Sequence, residues 1–207
     1  MAATKVDFKR EHKELYRAGL APTLVDVPEL AFLMVDGHGD PNTATEYTQA
    51  IEALYTVSYA LKVAIKRAPD GFDYGVMPLE GLWWVPEMSD FTTASKSAWD
   101  WTAMIMQPDE VTQDLLEDAV TGATAKKSLP AAARLRLERF REGPAAQVMH
   151  IGPYSAEGPT IKRLHEFIAE SGRTLRGKHH EIYLGDPRRS APEKLKTVIR
   201  QPVSDAG

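Results

Sequence analysis

The spacing of apolar side chains changes along the chain and predicts where strands and helices lie. Residues 30–35 are nearly all apolar, which is typical of a strand buried on both faces. In residues 47–65, apolar or small side chains recur at alternating intervals of four and three, which predicts the clearest helix of the chain. Thr43 and Glu46 have capping-box spacing at its start, and the Pro-Asp-Gly turn at residues 69–71 predicts its end.

The same patterns predict further elements on both sides of this helix. Two extended stretches are expected in residues 23–35, separated by Pro28, and Glu-Gly-Pro at residues 142–144 predicts a turn. Asp109 is expected to cap a helix. The other predicted strands are at residues 74–77, 82–85, 97–106, 132–140, 145–151, 178–184 and 194–201, and the other predicted helices at residues 7–18, 109–127 and 160–170.

The order strand–helix–strand–strand occurs twice, and residues 103–108 match residues 197–202 at the ends of the two repeats. We therefore predict an α+β fold in a single domain. Duplicated units of this kind usually pair about a pseudo-twofold axis, and we expect a central ligand cleft at that axis. The predicted boundaries are 1–207 for the domain, about 23–108 for module one, about 109–127 for a linking helix and about 132–203 for module two.

Composition narrows the possible functions. The 207 residues are 43% hydrophobic and carry a net charge of −4, so we expect no nucleic-acid partner. There are no cysteines, which excludes disulfides and thiolate chemistry. No apolar run approaches about 18 residues, and the first 20 residues have no apolar core of a signal peptide, so we expect a cytoplasmic protein without a membrane partner.

The candidate chemistry centres on residues 179–184. In a strand, His179, Glu181 and Tyr183 share one face, while Ile182 and Leu184 point to the other, where an apolar core suits them. Taken alone, Glu181 is better explained as a carboxylate on an exposed sheet face. In an apolar groove its carboxyl group would instead resist ionisation until it bound a cation or acted as a general acid or base.

Glu157 and the tryptophans are weaker candidates. Glu157 precedes the helix at residues 160–170, where a carboxylate is favoured by the helix dipole, and spacing alone favours that role over membership of the site. The four tryptophans fall in two predicted strands, and neighbouring Trp83 and Trp84 must face opposite ways. We expect Trp84, Trp101 or both to contact the ligand, although core packing explains part of this cluster.

No metal is expected. His179 and His180 are adjacent, so in a strand their side chains diverge, and the other histidines show no spacing typical of metal ligands. No phosphate-binding loop is present either. We therefore expect neither a metal nor an organic cofactor.

Several stretches together are similar to a known family. The chain resembles the GyrI-like family, whose small-molecule-binding domain is also the effector domain of multidrug-responsive transcription regulators. The resemblance covers nearly the whole chain, and its C-terminal motifs are long and specific. The matching stretches are residues 28–42, residues 147–154 with Glu157, residues 179–188 and residues 192–197.

The resemblance implies two modules packed as a pseudo-dimer around a ligand cleft, with Glu181 in the position of the glutamate that recognises cationic drugs. The regulators add a DNA-binding helix-turn-helix domain, for which this chain lacks room, so it is expected to be a stand-alone member. Stand-alone members with this fuller motif set look like the cyclopropanoid cyclopropyl hydrolases, which open the strained ring of DNA-alkylating natural products and protect the cell.

Two functions therefore remain open, with a third that is weaker. The first is multidrug binding, in which the protein detoxifies by holding lipophilic, aromatic and often cationic molecules. The second is hydrolysis of a cyclopropane, with Glu157 and Glu181 orienting a water and Tyr154 or Tyr183 polarising the substrate carbonyl. A DNA gyrase-binding inhibitor is the weaker alternative. The predicted catalytic residues are Glu157, Glu181 and Tyr154, and the predicted ligand contacts are Glu181, Tyr183, Tyr154, Glu157, Trp84, Trp101 and His179.

Overall fold

The computed structural model of the chain describes residues 4–205, and these residues form an α+β fold, as the sequence predicts. Residues 1–3 and 206–207 of the predicted domain lie outside the described residues. The strands are β1 (Thr4–Val6), β2 (Thr23–His38), β3 (Phe72–Tyr74), β4 (Leu79–Trp84), β5 (Asp100–Gln107), β6 (Arg136–Ile151), β7 (Arg173–Leu175), β8 (His179–Tyr183) and β9 (Lys196–Asp205). The α-helices are α1 (Phe8–Glu11), α2 (Lys13–Tyr16), α3 (Thr45–Arg67), α4 (Gln113–Thr124) and α5 (Gly158–Glu170).

The chain divides into two compact units. The boundaries fall within β2, β4 and β6, so each unit takes part of those strands. Unit one contains the chain up to Glu11 together with Leu30–Leu79 and Trp84–Phe140, and unit two contains His12–Glu29, Glu80–Trp83 and the chain from Arg141 onward.

Unit one is built around the long helix α3. Its apolar stripe, which includes Leu54, Val57 and Leu61, is completely buried because the residues recur every three or four positions along one helix face. The predicted helix at residues 47–65 is therefore confirmed. In the same unit β2 pairs antiparallel with β5, with Ala31 opposite Gln107 and His38 opposite Asp100.

Unit two is built around β9. This strand pairs antiparallel with β6 and with β8, and β7 pairs with its C-terminal end. Helix α5 packs on it through Leu164 and Ile168, which meet Val148 and Ile199 in a fully buried cluster. The helix ends where the sequence predicts, because Gly172 adopts a φ of 67° that few other residues tolerate.

Two predicted interruptions are wrong because both segments continue as strands. β2 runs through Pro28, since proline removes one hydrogen-bond donor but still allows extended backbone. β6 likewise runs through residues 142–144, where Gly143 has a φ of 72° and absorbs a local distortion that would otherwise end the strand.

The predicted helix caps are also corrected. α3 begins at Thr45 with Ala44 as its N-cap and no side-chain cap, so Thr43 and Glu46 form no capping box. α4 is capped by Thr112, whose hydroxyl accepts a hydrogen bond from the Leu115 amide at 3.3 Å, and not by Asp109. None of the helices within residues 4–205 is long and apolar enough to cross a membrane.

We predict that Gly37→Ala destabilises the protein. Trp101 is completely buried and its ring lies across Gly37, so an added Cβ would stand 2.2 Å from ring carbons. Overpacking of this kind costs about 1–3 kcal/mol, measurable as the free energy of unfolding in urea. The control is Gly122→Ala in α4, where no neighbouring atom lies within 4 Å and the better helix former should stabilise. Equal effects of the two substitutions would contradict the prediction.

Candidate functional site

The candidate site is built on β8 in unit two. Side chains alternate along a strand, so His179, Glu181 and Tyr183 point to one face and His180 and Ile182 to the other, as the sequence predicts. On the first face, His179 Nε2 lies 3.0 Å from Glu181 Oε1, and the Tyr183 hydroxyl donates to Glu181 Oε2 at 2.7 Å. Both oxygens of the Glu181 carboxyl group therefore have partners from its own strand.

Glu181 is buried yet ionised. Burial alone would raise the pKa of its carboxyl group, but the hydrogen bond and the positive charge of His179 outweigh that effect. Further hydrogen bonds from Tyr183 and Glu157 act in the same direction, and the pKa of Glu181 lies below its usual value. The site thus keeps a negative charge at neutral pH on a residue that is only 9% exposed.

Glu157 lies in the same site. It occupies the N-cap position of α5, where the helix dipole favours a carboxylate, and its side chain makes no hydrogen-bonded cap. The side chain is 5% exposed and hydrogen-bonds to Glu181. That hydrogen bond favours the ionised form of Glu181 and lowers the pKa of its carboxyl group.

A tight turn after β6 brings Glu157 and Tyr154 to the site. Gly152 has a φ of 140°, and a Cβ there would also meet His150 Nε2 at 3.2 Å, so the position requires glycine. His150 is buried and fastens the turn from both ring nitrogens, through Thr160 Oγ1 at 3.0 Å and the Pro153 carbonyl at 3.3 Å. His150 is thus a structural residue of the loop.

Aromatic side chains lie on one side of the carboxyl pair, next to Tyr183. The rings of Tyr154 and Tyr183 meet edge to face, with centroids 5.4 Å apart. Trp83 of β4 donates its indole N–H to the Tyr183 hydroxyl at 3.1 Å and is 2% exposed. The sequence prediction missed Trp83. The glycine at position 81 was the sequence feature that could have indicated its position. Gly81 lies two positions earlier on the same strand face, and a Cβ there would stand 2.7 Å from the Trp83 indole nitrogen.

The structure therefore brings five of the seven predicted ligand contacts together in unit two. They are Glu181, Tyr183, Tyr154, Glu157 and His179. The other two, Trp84 and Trp101, belong to unit one. Trp101 packs edge-on against Tyr47 in the core of that unit, and ligand contact by Trp84 and Trp101 stays a prediction.

Comparison with known proteins identifies the family. The GyrI-like small molecule binding domain matches residues 20–204. The chain belongs to the GyrI-like family. No curated protein matches the chain significantly.

Two solved structures are similar to the chain in sequence over nearly its whole length, and a third shares its fold. An uncharacterized conserved protein from Listeria innocua is 43% identical, with a TM-score of 0.88 over 96% of this chain and 100% of the other. A Listeria innocua protein described as a hydrolase is 42% identical, with a TM-score of 0.84 over 96% of this chain and 100% of the other. The C-terminal domain of EcmrR is 13% identical, with a TM-score of 0.55 over 89% and 97% of the two chains, and shares the fold alone.

Behind the site, the GyrI-like domain buries a second group of charges. On the opposite face of β8, His180 lies 3.0 Å from Glu142 through Nδ1 and 3.0 Å from Glu80 through Nε2. Arg200 donates to Glu142 at 3.2 Å, and Tyr16 donates to Glu80 at 2.7 Å. We call these five residues the buried charge cluster.

The sequence prediction missed the buried charge cluster. The sequence predicts a turn at Glu142 and places His180 on the face of its strand that Ile182 and Leu184 make apolar. Tyr16 precedes the residues that match the family, yet it completes the cluster, and Arg200 also donates to the Leu15 carbonyl at 2.8 Å. No group of three or more His, Asp or Glu residues within residues 4–205 has the arrangement of a metal site.

We predict that stability falls on both sides of weakly acidic pH. Burial opposes the charge on His180, but Glu142 and Glu80 raise its pKa from 6.5 to about 9. The protonated His180 therefore stabilises the folded protein fully below pH 6.5, and this contribution is lost as the pH rises through 9. Burial likewise opposes the charge on Glu142, but His180 and Arg200 lower its pKa from 4.5 to about 2, and its stabilisation is complete above 4.5 and lost as pH falls through 2.

Urea unfolding of the unmodified protein should therefore give its highest free energy between about pH 4.5 and 6.5 and lose a few kcal/mol by about pH 9.5. In His180→Gln the loss on the alkaline side should disappear, and the variant should be less stable at pH 6. His38→Gln, which alters an exposed histidine paired with Asp100, is the control and should keep the wild-type profile. A flat wild-type profile from pH 6.5 to 9.5 would contradict a charged His180.

Proposed function

We propose that the protein is a hydrolase that opens a strained ring in an electrophilic, aromatic small molecule held at the Glu181 site. The observation that carries this proposal is the buried, hydrogen-bonded pair of Glu157 and Glu181, in which Glu181 stays ionised. An ionised carboxylate in a buried site can act as a general base, and a second carboxyl group beside it can direct the attacking water. The 42% identity to the Listeria innocua protein described as a hydrolase supports the same reaction class.

The substrate class that fits is a cyclopropane conjugated to a carbonyl, as in DNA-alkylating natural products. The water oxygen attacks a ring carbon and gives a proton to Glu181. The ring C–C bond breaks, and its electron pair moves into the conjugated system and onto the carbonyl oxygen, which becomes an enolate and then takes up a proton. The net change is the addition of one water, which destroys the alkylating group and makes the proposed role detoxification.

The hydrogen bonds around Glu181 separate the roles of the two tyrosines. A phenol can donate one hydrogen bond, and the hydroxyl of Tyr183 already donates its hydrogen bond to Glu181 Oε2. Tyr183 therefore orients the base. Tyr154, whose ring packs against Tyr183, is the donor that we assign to the developing enolate oxygen.

Glu157→Gln and Glu181→Gln should each slow ring opening by about 10²–10⁴-fold, the usual contribution of general-base catalysis. The substrate is a spirocyclopropane conjugated to a dienone, and mass spectrometry of the water adduct measures the rate. Glutamine keeps the shape of each side chain, so the loss would report the carboxyl chemistry.

The control is Glu170→Gln, which removes the same charge from an exposed position on α5 and should keep the wild-type rate. A Glu157→Gln protein with normal turnover would remove Glu157 from the reaction. No ring opening above the rate in buffer by the unmodified protein would reject the hydrolase.

A second candidate is the binding of lipophilic aromatic cations without turnover. The observation that favours it is a persistent negative charge on Glu181 beside the rings of Tyr154 and Tyr183. Each cation–π contact contributes about 0.5–2 kcal/mol, depending on desolvation, and tolerates many flat ligands. A site of this kind serves multidrug binding, in which the protein holds a toxic cation and lowers its free concentration.

Glu181→Gln should weaken binding of tetraphenylphosphonium, a permanent cation, by roughly ten-fold or more, equivalent to about 1.4 kcal/mol. Binding of neutral triphenylphosphine oxide should change much less, because it gains nothing from the carboxylate charge. Titration calorimetry measures both affinities, again with Glu170→Gln as the control. Equal losses for the two ligands would remove Glu181 as the charge partner.

A further inference from the structure

His179 is the most enclosed polar residue on the site face of β8. Its side chain is 2% exposed, whereas that of Glu181 is 12% exposed. His179 therefore offers a ligand almost no surface to touch, whereas part of the Glu181 side chain is accessible. At the site, His179 Nε2 lies 3.0 Å from Glu181 Oε1.

That contact acts on the one residue that both proposed functions need. We propose that His179 is a positioning residue: through Nε2 it fixes the orientation of the Glu181 carboxylate, and in its protonated form it is the cationic partner of that buried group. This inference rests on the proposed use of Glu181 and replaces the direct ligand contact that the sequence predicts for His179.

Among the described residues named as acting on the Glu181 carboxyl group, His179 is the one whose side chain can carry a positive charge. From its own strand Tyr183 donates a neutral hydrogen bond, and across the ladder the neighbour on β9 is Ile199, which is apolar. From the turn before α5, Glu157 contributes a carboxyl group. From α5, His165 lies near His179, and burial together with the His179 charge lowers the pKa of His165, which keeps it neutral.

The physical consequence is a pH limit for the site. An ionised carboxylate that loses its cationic partner inside a protein becomes easier to protonate, because nothing offsets its desolvation. Without the His179 charge, Glu181 would take up a proton at a higher pH. The site would then lose both its general base and its charge for a cation over that pH range.

The direct test is a ¹³C NMR titration of the Glu181 carboxyl carbon, assigned with Glu181→Gln. In His179→Gln, whose side-chain amide keeps a donor but carries no charge, the midpoint should rise by about 1–3 pH units, the usual effect of losing a neighbouring opposite charge. His179→Asn is the second variant if His179→Gln does not fold. An unchanged midpoint in a folded variant would overturn the proposal.

The matched control is His38→Gln. His38 and Asp100 form a similar pair at 2.8 Å, but His38 is 62% exposed, so its loss should leave the Glu181 midpoint unchanged. A shift of equal size in this variant would also overturn the proposal. The titration needs neither ligand nor substrate, so its outcome does not depend on whether the protein hydrolyses or binds.

The functional readout is the pH dependence of tetraphenylphosphonium affinity or of ring-opening rate, whichever the unmodified protein shows. In His179→Gln the acidic limb should move to higher pH by the same amount as the NMR midpoint, with wild-type values recovered at higher pH. A purely structural role would lower affinity or rate equally at every pH, and that result would overturn the assignment.

Discussion

Buried charges on both faces of one short strand impose the main physical constraint on this protein. On β8, Glu181 faces the candidate site, while His180 faces the buried charge cluster. Each buried ion needs a partner of opposite charge, because an isolated charge in the interior costs far more than folding can offset. The neighbouring strands of unit two carry those partners for His180.

The buried charge cluster joins segments that are far apart in sequence. Glu80 comes from β4, Glu142 from β6 and Arg200 from β9, and Tyr16 comes from the short helix that precedes the residues matching the family. Breaking one partner of such a cluster typically costs about 3–5 kcal/mol, because the remaining charge stays buried. The cluster therefore holds β8 in place from behind, which keeps the carboxyl group of Glu181 at the site.

The site itself is already internally hydrogen-bonded. Glu181 has His179 and Tyr183 as partners, Tyr183 accepts from Trp83, and Glu157 hydrogen-bonds to Glu181. A carboxylate held in this way needs little rearrangement when a ligand or a water arrives, which is the condition for electrostatic preorganisation. The same feature suits a general base and the charge partner of a cation, so the two proposed functions share one set of residues.

The sequence by itself determined the features that depend on local periodicity. The apolar stripe of α3, the helix at α5 and the alternation that put Glu181 and Tyr183 on one face follow from spacings of 3.6 and 2 residues. Only the tertiary structure decided which polar groups meet. Trp83 hydrogen-bonds to Tyr183, 100 positions away in sequence. Glu142, in a segment whose sequence is typical of a turn, pairs with His180. Spacing specifies the face on which a side chain lies, but its partner depends on which distant strands become neighbours.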